Sequence, residues 1–337
     1  MNQQTLQSAS RNFGVVAALL LCATQLLAAE VSETSHFSFH SDPWVNLHHF
    51  LYHEARNTVL REKMLGGRVR TYPADRDVGL TDGDRLIFEN VLSVYARYGE
   101  GDLLFDRTLF DIGATVVYGP DSFPRDPGAE PAYAALERMM PLYLKYWWPR
   151  HDVTNRTRIR ELVRYLEQYE KGMADFVATS YGVAWPETIR VDVSVYSGRH
   201  GAYATNRPNH IVLASPENWF PGLLALDLLF HESGHTRPFQ DQVHERSRKA
   251  AAAAGVDEGD VWHAFLFYIP SQAARKVLPE SHTPYAYQED GPLARGRMSR
   301  SEFHIRQALE QTRDLDEVFR LIHESRAADH SDESSRQ

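Results

Sequence analysis

Apolar residues recur at helical spacing through the first half of the chain. A helix is predicted over residues 42–53, because Asp42 suits the capping position and Pro43 suits the first helical position. Similar patterns predict helices at about 81–95, 131–148 and 154–178. The segment 119–131 is rich in Pro, Gly and Asp and is predicted to be a loop. Residues 30–185 are therefore expected to form a helical N-terminal region.

The apolar pattern changes to a period of two near residue 185. Residues 188–196 alternate apolar and polar side chains, as a half-buried strand does. Two further strands are predicted at 202–205 and 210–214, with a turn at 206–209. Helices are predicted at about 221–235, 239–254, 260–268, 301–311 and 314–326, followed by a frayed end. The expected fold class is α+β, mostly helical, with a small antiparallel sheet packed beside the helix 221–235.

The first 29 residues have the features of a signal peptide. Arg11 provides a positive charge, and the apolar stretch 13–27 that follows is short for a membrane span. Leu27-Ala28-Ala29 before Glu30 is an acceptable cleavage site. No later segment is apolar for long enough to cross a bilayer. The protein is therefore expected to be secreted or periplasmic, without membrane insertion after cleavage.

Composition narrows the chemistry that the chain can carry. Cys22 is the only cysteine and falls inside the predicted signal peptide. The mature chain is therefore expected to have no disulfide, no Cys nucleophile and no thiolate metal site. Leu21 stands where a lipoprotein signal needs a small residue, which argues against lipidation of Cys22. The formal net charge of −9 argues against nucleic acid or an anionic membrane as a partner.

The segment His231-Glu232-Ser233-Gly234-His235 has the pattern H-E-x-x-H. On a helix, residues four apart lie on one face, so both imidazoles can point at one ion. Glu232 lies about 100° round the helix from His231, close enough to reach a water held by that ion. Zinc takes neutral imidazole ligands and lowers the pKa of its water to about 7. Zn²⁺ is therefore the predicted cofactor, with His231 and His235 as ligands and Glu232 as the catalytic base.

A small antiparallel sheet followed directly by an H-E-x-x-H helix resembles the zincin metallopeptidases. The resemblance covers about residues 186–270, and the motif is matched by His231, Glu232 and His235. It implies zinc ligation by the two histidines and a general-base role for the glutamate. It also implies an edge strand that pairs with an extended substrate, here either 211–214 or 203–205. The gluzincin type is the nearest form, although its standard third-ligand spacing is missing.

The third metal ligand departs from the common zincin patterns. The metzincin form needs Gly and His three and six residues after the second motif histidine, where this chain has Pro238 and Asp241. His263 lies in the middle of the apolar helix predicted at 260–268, so its imidazole is expected to face inward and to need a partner. Glu258 is the alternative ligand, although an acid at a helix N-terminus also favours the dipole without any metal. His263 is the preferred third ligand.

Tyrosines that follow the motif helix are candidates for stabilising an oxyanion. They are Tyr268, Tyr285 and Tyr287. Tyr268 is preferred because it shares a predicted helix with His263, and it is predicted to be catalytic together with Glu232. Each of the three is also compatible with a packing or surface role.

Two weaker groups of candidates remain. Asp227 lies one turn before His231 and is either a group that orients the imidazole or a solvated helix acid. The N-terminal residues that look like a second metal cluster are His40, Asp42, His48, His49 and His53. A second metal site and a role in lining a cleft are both open for that cluster.

The predicted function is that of an exported zinc-dependent hydrolase, most simply a peptidase acting on a peptide or small amide. One alternative is a secreted helical binding or scaffold protein with structural zinc or none, its motif being the polar end of a core helix. Another is a metallohydrolase of a non-peptide amide or ester. No repeat or Pro- and Ser-rich linker separates the regions 30–185 and 186–330, the latter being the expected zincin-like metal-binding region. They are expected to form one integrated unit.

Overall fold

The structure is a computed structural model that describes residues 30–63, 72–75, 78–123, 125–295 and 297–335. The predicted signal peptide, with Cys22, lies outside the described residues. Helices account for 64% of the structure, and they accompany a small mixed sheet. The α+β, mostly helical fold class is therefore confirmed. Within the described ranges, no helix is both long and apolar enough to cross a bilayer.

Two strands precede the first helix, and three more lie between the helices of the first and second halves of the chain. The strands are β1 Glu30–Glu33, β2 Phe37–His40, β3 Ile189–Ser194, β4 Ala202–Asn206 and β5 Asn209–Ala214. The helices are α1 Pro43–Glu62, α2 Asp82–Tyr95, α3 Arg107–Tyr118, α4 Glu130–Tyr146, α5 Trp148–Tyr181, α6 Leu223–Gly234, α7 Phe239–Ala254, α8 Val261–Val277, α9 Arg297–Gln311 and α10 Leu315–Ser335.

The chain divides into two compact units, each built from separate stretches of sequence. Unit 1 comprises the segment that ends at Glu33, Phe39–Ile159 and Asp192–Gly201. Unit 2 comprises Thr34–Ser38, Arg160–Val191 and the chain from Ala202 onwards. The boundary predicted at residue 185 falls inside unit 2. Strands β2 and β3 and helix α5 each contribute residues to both units, so sequence position alone does not describe the division.

Unit 1 contains α1, whose start follows the sequence prediction. The carboxylate of Asp42 accepts two backbone hydrogen bonds from the first turn, at 2.8 and 3.1 Å, and Pro43 occupies the first helical position. The buried ring of Phe50 packs against the rings of Phe88 and Trp147, with centroid distances of 6.0 and 5.1 Å. Packing on this apolar face extends the helix beyond the predicted end at residue 53.

Helix α3 is missing from the sequence prediction. Gly113 and the β-branched residues 115–117 make its interior a poor helix former. The carboxylate of Asp106 nevertheless caps the helix by accepting a hydrogen bond from the backbone N–H of Leu109 at 3.0 Å. Leu109 and Ile112 are buried in unit 1. Burial and capping together outweigh the weak intrinsic propensity of this segment.

The sheet has the strand order β1-β2-β3-β5-β4, so β4 lies at one edge. Strands β4 and β5 pair antiparallel, and Asn206 lies opposite Asn209. The connecting turn is therefore Arg207-Pro208, shorter than the predicted turn at 206–209. The sheet is mixed and has five strands, where the sequence predicts a small antiparallel sheet with three. Strands β1 and β2, of four residues each, are absent from the sequence prediction.

Unit 2 contains the motif helix α6. Every residue from Ala225 to Gly234 is buried, including the polar Asp227 and the motif residues. The ring of Phe230 packs edge-on against Phe37 and Trp185, each at a centroid distance of 5.7 Å. Helix α6 contacts β4, β5 and α8. This packing fixes the position of the side chains at the end of α6.

Helices α8, α9 and α10 are longer than predicted, whereas α7 has its predicted length. Helix α7 ends as predicted before Gly255, which adopts a left-handed conformation with φ of 68°. Helix α8 continues to Val277 through Pro270, because its buried apolar face outweighs the hydrogen bond lost at proline. Helix α10 continues to Ser335 instead of ending near residue 326. His263 therefore lies in the first turn of a long helix, not in the middle of a short one.

Candidate metal centre

Helix α6 carries the H-E-x-x-H motif at its C-terminal end. His231 and Glu232 lie in the last turn, and His235 is the capping residue. The backbone N–H of His235 donates to the carbonyl oxygen of Glu232 at 3.0 Å, in a tightened final turn. Pro238 precedes α7, so the predicted stop is confirmed. The motif residues are therefore held at the end of a helix, just before the chain continues into α7.

Gly234 allows α6 to lie close to its neighbours in unit 2. A Cβ atom at this position would lie 3.2 Å from the hydroxyl oxygen of Tyr181 and 3.4 Å from a side-chain carbon of Leu266. Tyr181 belongs to α5 and Leu266 to α8. The second variable position of the motif is therefore constrained by packing against two helices.

Three imidazoles converge at the end of α6. His263, from the first turn of α8, joins His231 and His235, and one nitrogen from each ring lies within 4.8 Å of the other two. The ring centroids of His235 lie 5.0 Å from those of both other histidines. Zn–N bonds of 2.0–2.1 Å in tetrahedral geometry would bring these nitrogens to about 3.4 Å apart. The observed spacing of up to 4.8 Å exceeds this value by no more than about 1.4 Å, so the three residues fit a metal ion.

His231 has one nitrogen committed and the other available. Its Nδ1 lies 3.1 Å from the carbonyl oxygen of Leu266, which can only accept a hydrogen bond. Nδ1 must therefore carry the proton, and Nε2 presents a lone pair. Burial, followed by the nearby His235 and His263, lowers the pKa of His231 well below its ordinary value. The imidazole is neutral at pH 7, the form that binds metals.

His235 and His263 are half-buried, and they lie among aromatic side chains. Burial, with a smaller contribution from His263, lowers the pKa of His235 to about 3. The ring of Trp262 stacks on His263 at a centroid distance of 5.1 Å. Phe267 stacks on His231 at 3.7 Å and on His263 at 4.9 Å. The aromatic rings of Trp262 and Phe267 therefore restrict the orientation of the imidazole rings that they stack on.

Glu232 is a buried carboxylic acid beside this cluster. Its side chain makes no hydrogen bond to the described residues. Burial raises its pKa to about 8. A nearby positive charge favours the ionised form of a buried carboxyl group. The position suits a group that exchanges protons with a ligand instead of one that stabilises the fold.

The three tyrosines considered as oxyanion donors lie in different surroundings. Burial, followed by the charge of Glu302, raises the pKa of Tyr268, and the hydroxyl of Tyr287 donates to the carboxylate of Glu302 at 3.0 Å. The pKa of Tyr285 is raised by burial first and then by the charge of Glu232. Tyr285, not Tyr268, is therefore the tyrosine in electrostatic contact with the motif. Tyr268 and Tyr287 both lie near Glu302, although Tyr268 shares its helix with His263.

Asp227 and Glu258 make other contacts than those proposed from the sequence. Asp227 accepts a hydrogen bond from the backbone N–H of Tyr285, and its carboxylate lies 3.7 Å from Nε2 of His282. It therefore holds the segment that carries Tyr285, whereas the Leu266 carbonyl orients His231. Glu258 lies 3.4 Å from Nε2 of the exposed His244. It is outside the three-residue group that can hold a metal.

His48, His49 and His53 are buried in unit 1 and make separate contacts. Nδ1 of His48 lies 3.2 Å from the hydroxyl of Tyr95, and Nδ1 of His49 lies 2.6 Å from the carbonyl oxygen of Val45. Burial lowers the pKa of His53 to about 3. In the part of the chain that the structure describes, the group able to hold a metal is formed by the unit 2 histidines alone. The sequence idea of a second metal cluster has no support.

Two residues of the centre carried no functional prediction. Phe267 lies four residues after His263, so helical spacing was a signal that it shares the face of that histidine. The carbonyl oxygen of Leu266 had no signal, because every residue carries one.

Comparisons with known proteins add no relative. No protein-family model, no curated protein and no solved structure matches the chain. A function must therefore be argued from the geometry and chemistry of the centre itself.

Proposed function

We propose that this protein is an exported, zinc-dependent hydrolase that cleaves peptide bonds. The observation that supports it best is the convergence of His231, His235 and His263 to within 4.8 Å beside the buried Glu232. Three protein ligands leave the fourth position of a tetrahedral zinc open, as in catalytic sites, whereas structural sites are closed by four. The resemblance of residues 186–270 to zincins is consistent with the same chemistry.

Each residue has a separate task in the proposed reaction. When bound, a zinc ion acidifies a water ligand and polarises a carbonyl group. Glu232 accepts the proton that the attacking water loses and then donates it to the departing amine nitrogen. The hydrogen bond between His231 and the Leu266 carbonyl keeps the imidazole in the tautomer that binds zinc.

Tyr285 is the proposed donor to the oxygen that gains negative charge. Its hydroxyl makes no hydrogen bond to the described residues, and burial raises its pKa, so the hydroxyl keeps its proton at neutral pH. The backbone of Tyr285 is held by Asp227, and its ring lies 6.1 Å from that of Phe267. A fixed, protonated hydroxyl is suited to stabilising an oxyanion.

Strand β4 favours a peptide over a small amide as substrate. Of the two strands considered, β5 lies between β3 and β4, whereas β4 is at the edge of the described sheet. Helix α6 packs against β4 within unit 2. An extended peptide can add to such an edge through main-chain hydrogen bonds. Residues 203–205 are therefore the proposed peptide-binding segment.

Metal content and one conservative variant test the proposal. Protein purified without chelator is expected to contain one zinc per chain by elemental mass spectrometry. Glu232→Gln should retain that zinc and lose roughly 10²–10⁴-fold in turnover of a mixed peptide library followed by mass spectrometry. Glu258→Gln is the matched control and should keep both. Full activity in Glu232→Gln would refute the mechanism.

The alternatives give different results in the same experiments. A binding or scaffold protein would contain no zinc, or would bind zinc without cleaving any substrate. In either case wild type and Glu232→Gln would show the same absence of turnover. A hydrolase of other amides or esters would be silent on peptides but would release product from a small chromogenic ester or amide in a Glu232-dependent manner.

A further inference from the structure

A short loop sets the position of the third imidazole. The loop links α7 to α8 in unit 2, and α8 begins only two residues before His263. Gly255 and Gly259 both adopt positive φ angles, of 68° and 62°, in this loop. The direction in which α8 starts, and with it the position of His263, depends on how the loop is held.

Arg326, on α10, holds this loop by its backbone. One guanidinium nitrogen, Nη1, donates to the carbonyl oxygens of Asp257 at 2.9 Å and Glu258 at 3.1 Å. A Cβ atom on Gly259 would lie 2.9 Å from the other nitrogen, Nη2. Glycine at this position therefore lets the guanidinium group lie flat against the loop, a fit that the compact ammonium of lysine does not reproduce.

A second chain of contacts fixes the guanidinium group itself. Nη1 of Arg326 lies 3.0 Å from Nδ1 of His323, and Nε2 of His323 lies 3.2 Å from the hydroxyl of Ser247 on α7. Because Arg326 can only donate, Nδ1 of His323 accepts and its Nε2 carries the proton towards Ser247. His323 is fully buried. Arg326 is thus oriented by buried groups, whereas a surface arginine would move freely.

The loop is also held from α9. The hydroxyl of Ser301 donates to the carboxylate of the buried Asp260 at 2.8 Å, and the carbonyl oxygen of Asp260 accepts the first hydrogen bond of α8 from Ala264. Helices α9 and α10 therefore both fix the residues that immediately precede the first turn of α8.

We propose that Arg326 is a positioning residue for the metal centre, which it supports by holding the 257–259 backbone so that His263 meets His231 and His235. This inference rests on the proposed metal site. Residues that orient metal ligands from outside the coordination shell typically contribute about 10–100-fold to metal affinity. Arg326 would act through the backbone of a loop, without contact to the metal or the substrate.

A double-mutant cycle on metal affinity tests the role. Zinc affinity is measured by chelator competition, and the visible spectrum of the cobalt-loaded protein reports the coordination geometry. Arg326→Ala is expected to weaken zinc binding about 10–100-fold and to reduce the tetrahedral cobalt bands. In a His263→Ala background the same substitution should change affinity by no more than about twofold, because its target ligand is already gone. Arg320→Ala, on the exposed face of α10, is the matched control and should change neither.

Each contrary result has a definite meaning. Equal losses of affinity in both backgrounds would show that Arg326 supports the fold in general and would overturn the positioning role. An unchanged spectrum and affinity in a folded Arg326→Ala protein would overturn it as well, while leaving the proposed function intact. A wild-type protein that binds no zinc would overturn both. If Arg326→Ala does not fold, Arg326→Lys and Gly259→Ala take its place, and the same pattern is required of them.

Discussion

Two helices of this protein carry histidines four residues apart, and the outcomes differ. On α1 in unit 1, Nδ1 of His49 lies 2.6 Å from the carbonyl oxygen of Val45, and Nε2 of His53 lies 3.1 Å from the amide nitrogen of Asn57. Both histidines are buried and have partners on their own helix. These contacts make them part of the packing of α1.

On α6 in unit 2, the two histidines with this spacing belong to the candidate metal centre, which also includes groups from a second helix. His231 bonds to the carbonyl oxygen of Leu266 on α8, and α8 also supplies His263. The spacing alone puts two imidazoles on one face. A metal centre needs in addition a third ligand and an acceptor that fixes the tautomer, both from another element.

The largest difference between the two pairs is expected in metal binding. His235→Ala should weaken zinc binding by at least about 100-fold, because it removes a direct ligand. His53→Ala should leave zinc binding unchanged and cost about 1–3 kcal/mol of stability, since its ring stacks on Tyr196 at 4.1 Å. Zinc titration and urea unfolding of both variants measure the two effects. Equal losses of zinc affinity in both variants would contradict the proposed difference between the two histidine pairs.

Gly234 tests whether packing behind the motif matters. Gly234→Ala is expected to destabilise the protein by about 1–3 kcal/mol, because the new methyl group meets the Tyr181 hydroxyl at 3.2 Å and Leu266 at 3.4 Å. Gly83→Ala on α2 is the control. No atom lies within 4 Å of a Cβ built there, so alanine should stabilise by up to about 1 kcal/mol. Urea unfolding compares them, and a neutral Gly234→Ala would contradict the tight packing.

Glu54 in unit 1 should make the fold less stable as pH rises. Burial, and then the charge of Asp75, raises the pKa of Glu54 from 4.5 to about 7. The folded state therefore holds this proton more tightly, and stability falls between about pH 4.5 and pH 7. Glu54→Gln removes the cost of ionisation and should stabilise the protein by about 1–2 kcal/mol at pH 8. The free energies of unfolding of wild type and Glu54→Gln at pH 5 and pH 8 test this prediction. A stabilisation of the same size at both pH values would exclude ionisation of Glu54 as its cause.

Glu170 in unit 2 should show the opposite, smaller dependence. Burial alone would raise its pKa, but hydrogen bonds from His36, Thr34 and the His36 backbone outweigh it and lower the pKa. This stability is present above the unfolded pKa of 4.5 and is lost as pH falls through the folded value. Glu170→Gln should lower the free energy of unfolding by about 1 kcal/mol at pH 7 and make it depend less on pH in the acid range. Glu167→Gln, at an exposed position on the same helix, is the control. The same pH dependence of the unfolding free energy in the wild type and both variants would count against the role of Glu170.

The sequence was most informative where one residue type determines a local structure. Asp42 caps α1, Gly255 ends α7 and Pro238 stops α6, because each effect acts over a few neighbouring residues. Helix α3 escaped prediction because its stability comes from burial, which its own residues do not reveal. The division into two units could not be predicted either, because each unit is formed by contacts between separate stretches of the chain.

In the site, His263 was identified from its apolar context, and the structure brings it to the motif. The sequence does not single out Tyr285 among the three tyrosines, because the contact that holds its segment is made with Asp227, 58 residues earlier in the chain. Such long-range contacts cannot be read from spacing. The prediction of Tyr268 rests on the helix that it shares with His263, and a shared helix alone does not determine which face a side chain occupies.

The stacking of Phe267 on His231 has a spectroscopic consequence. The rings are almost parallel, at 5°, with centroids 3.7 Å apart. In a magnetic field, the circulating π electrons of the phenylalanine shield nuclei above its face. The carbon-bound imidazole protons of His231 should therefore resonate upfield of those from the exposed His244, and NMR can follow this one ligand during a metal titration without any chemical label.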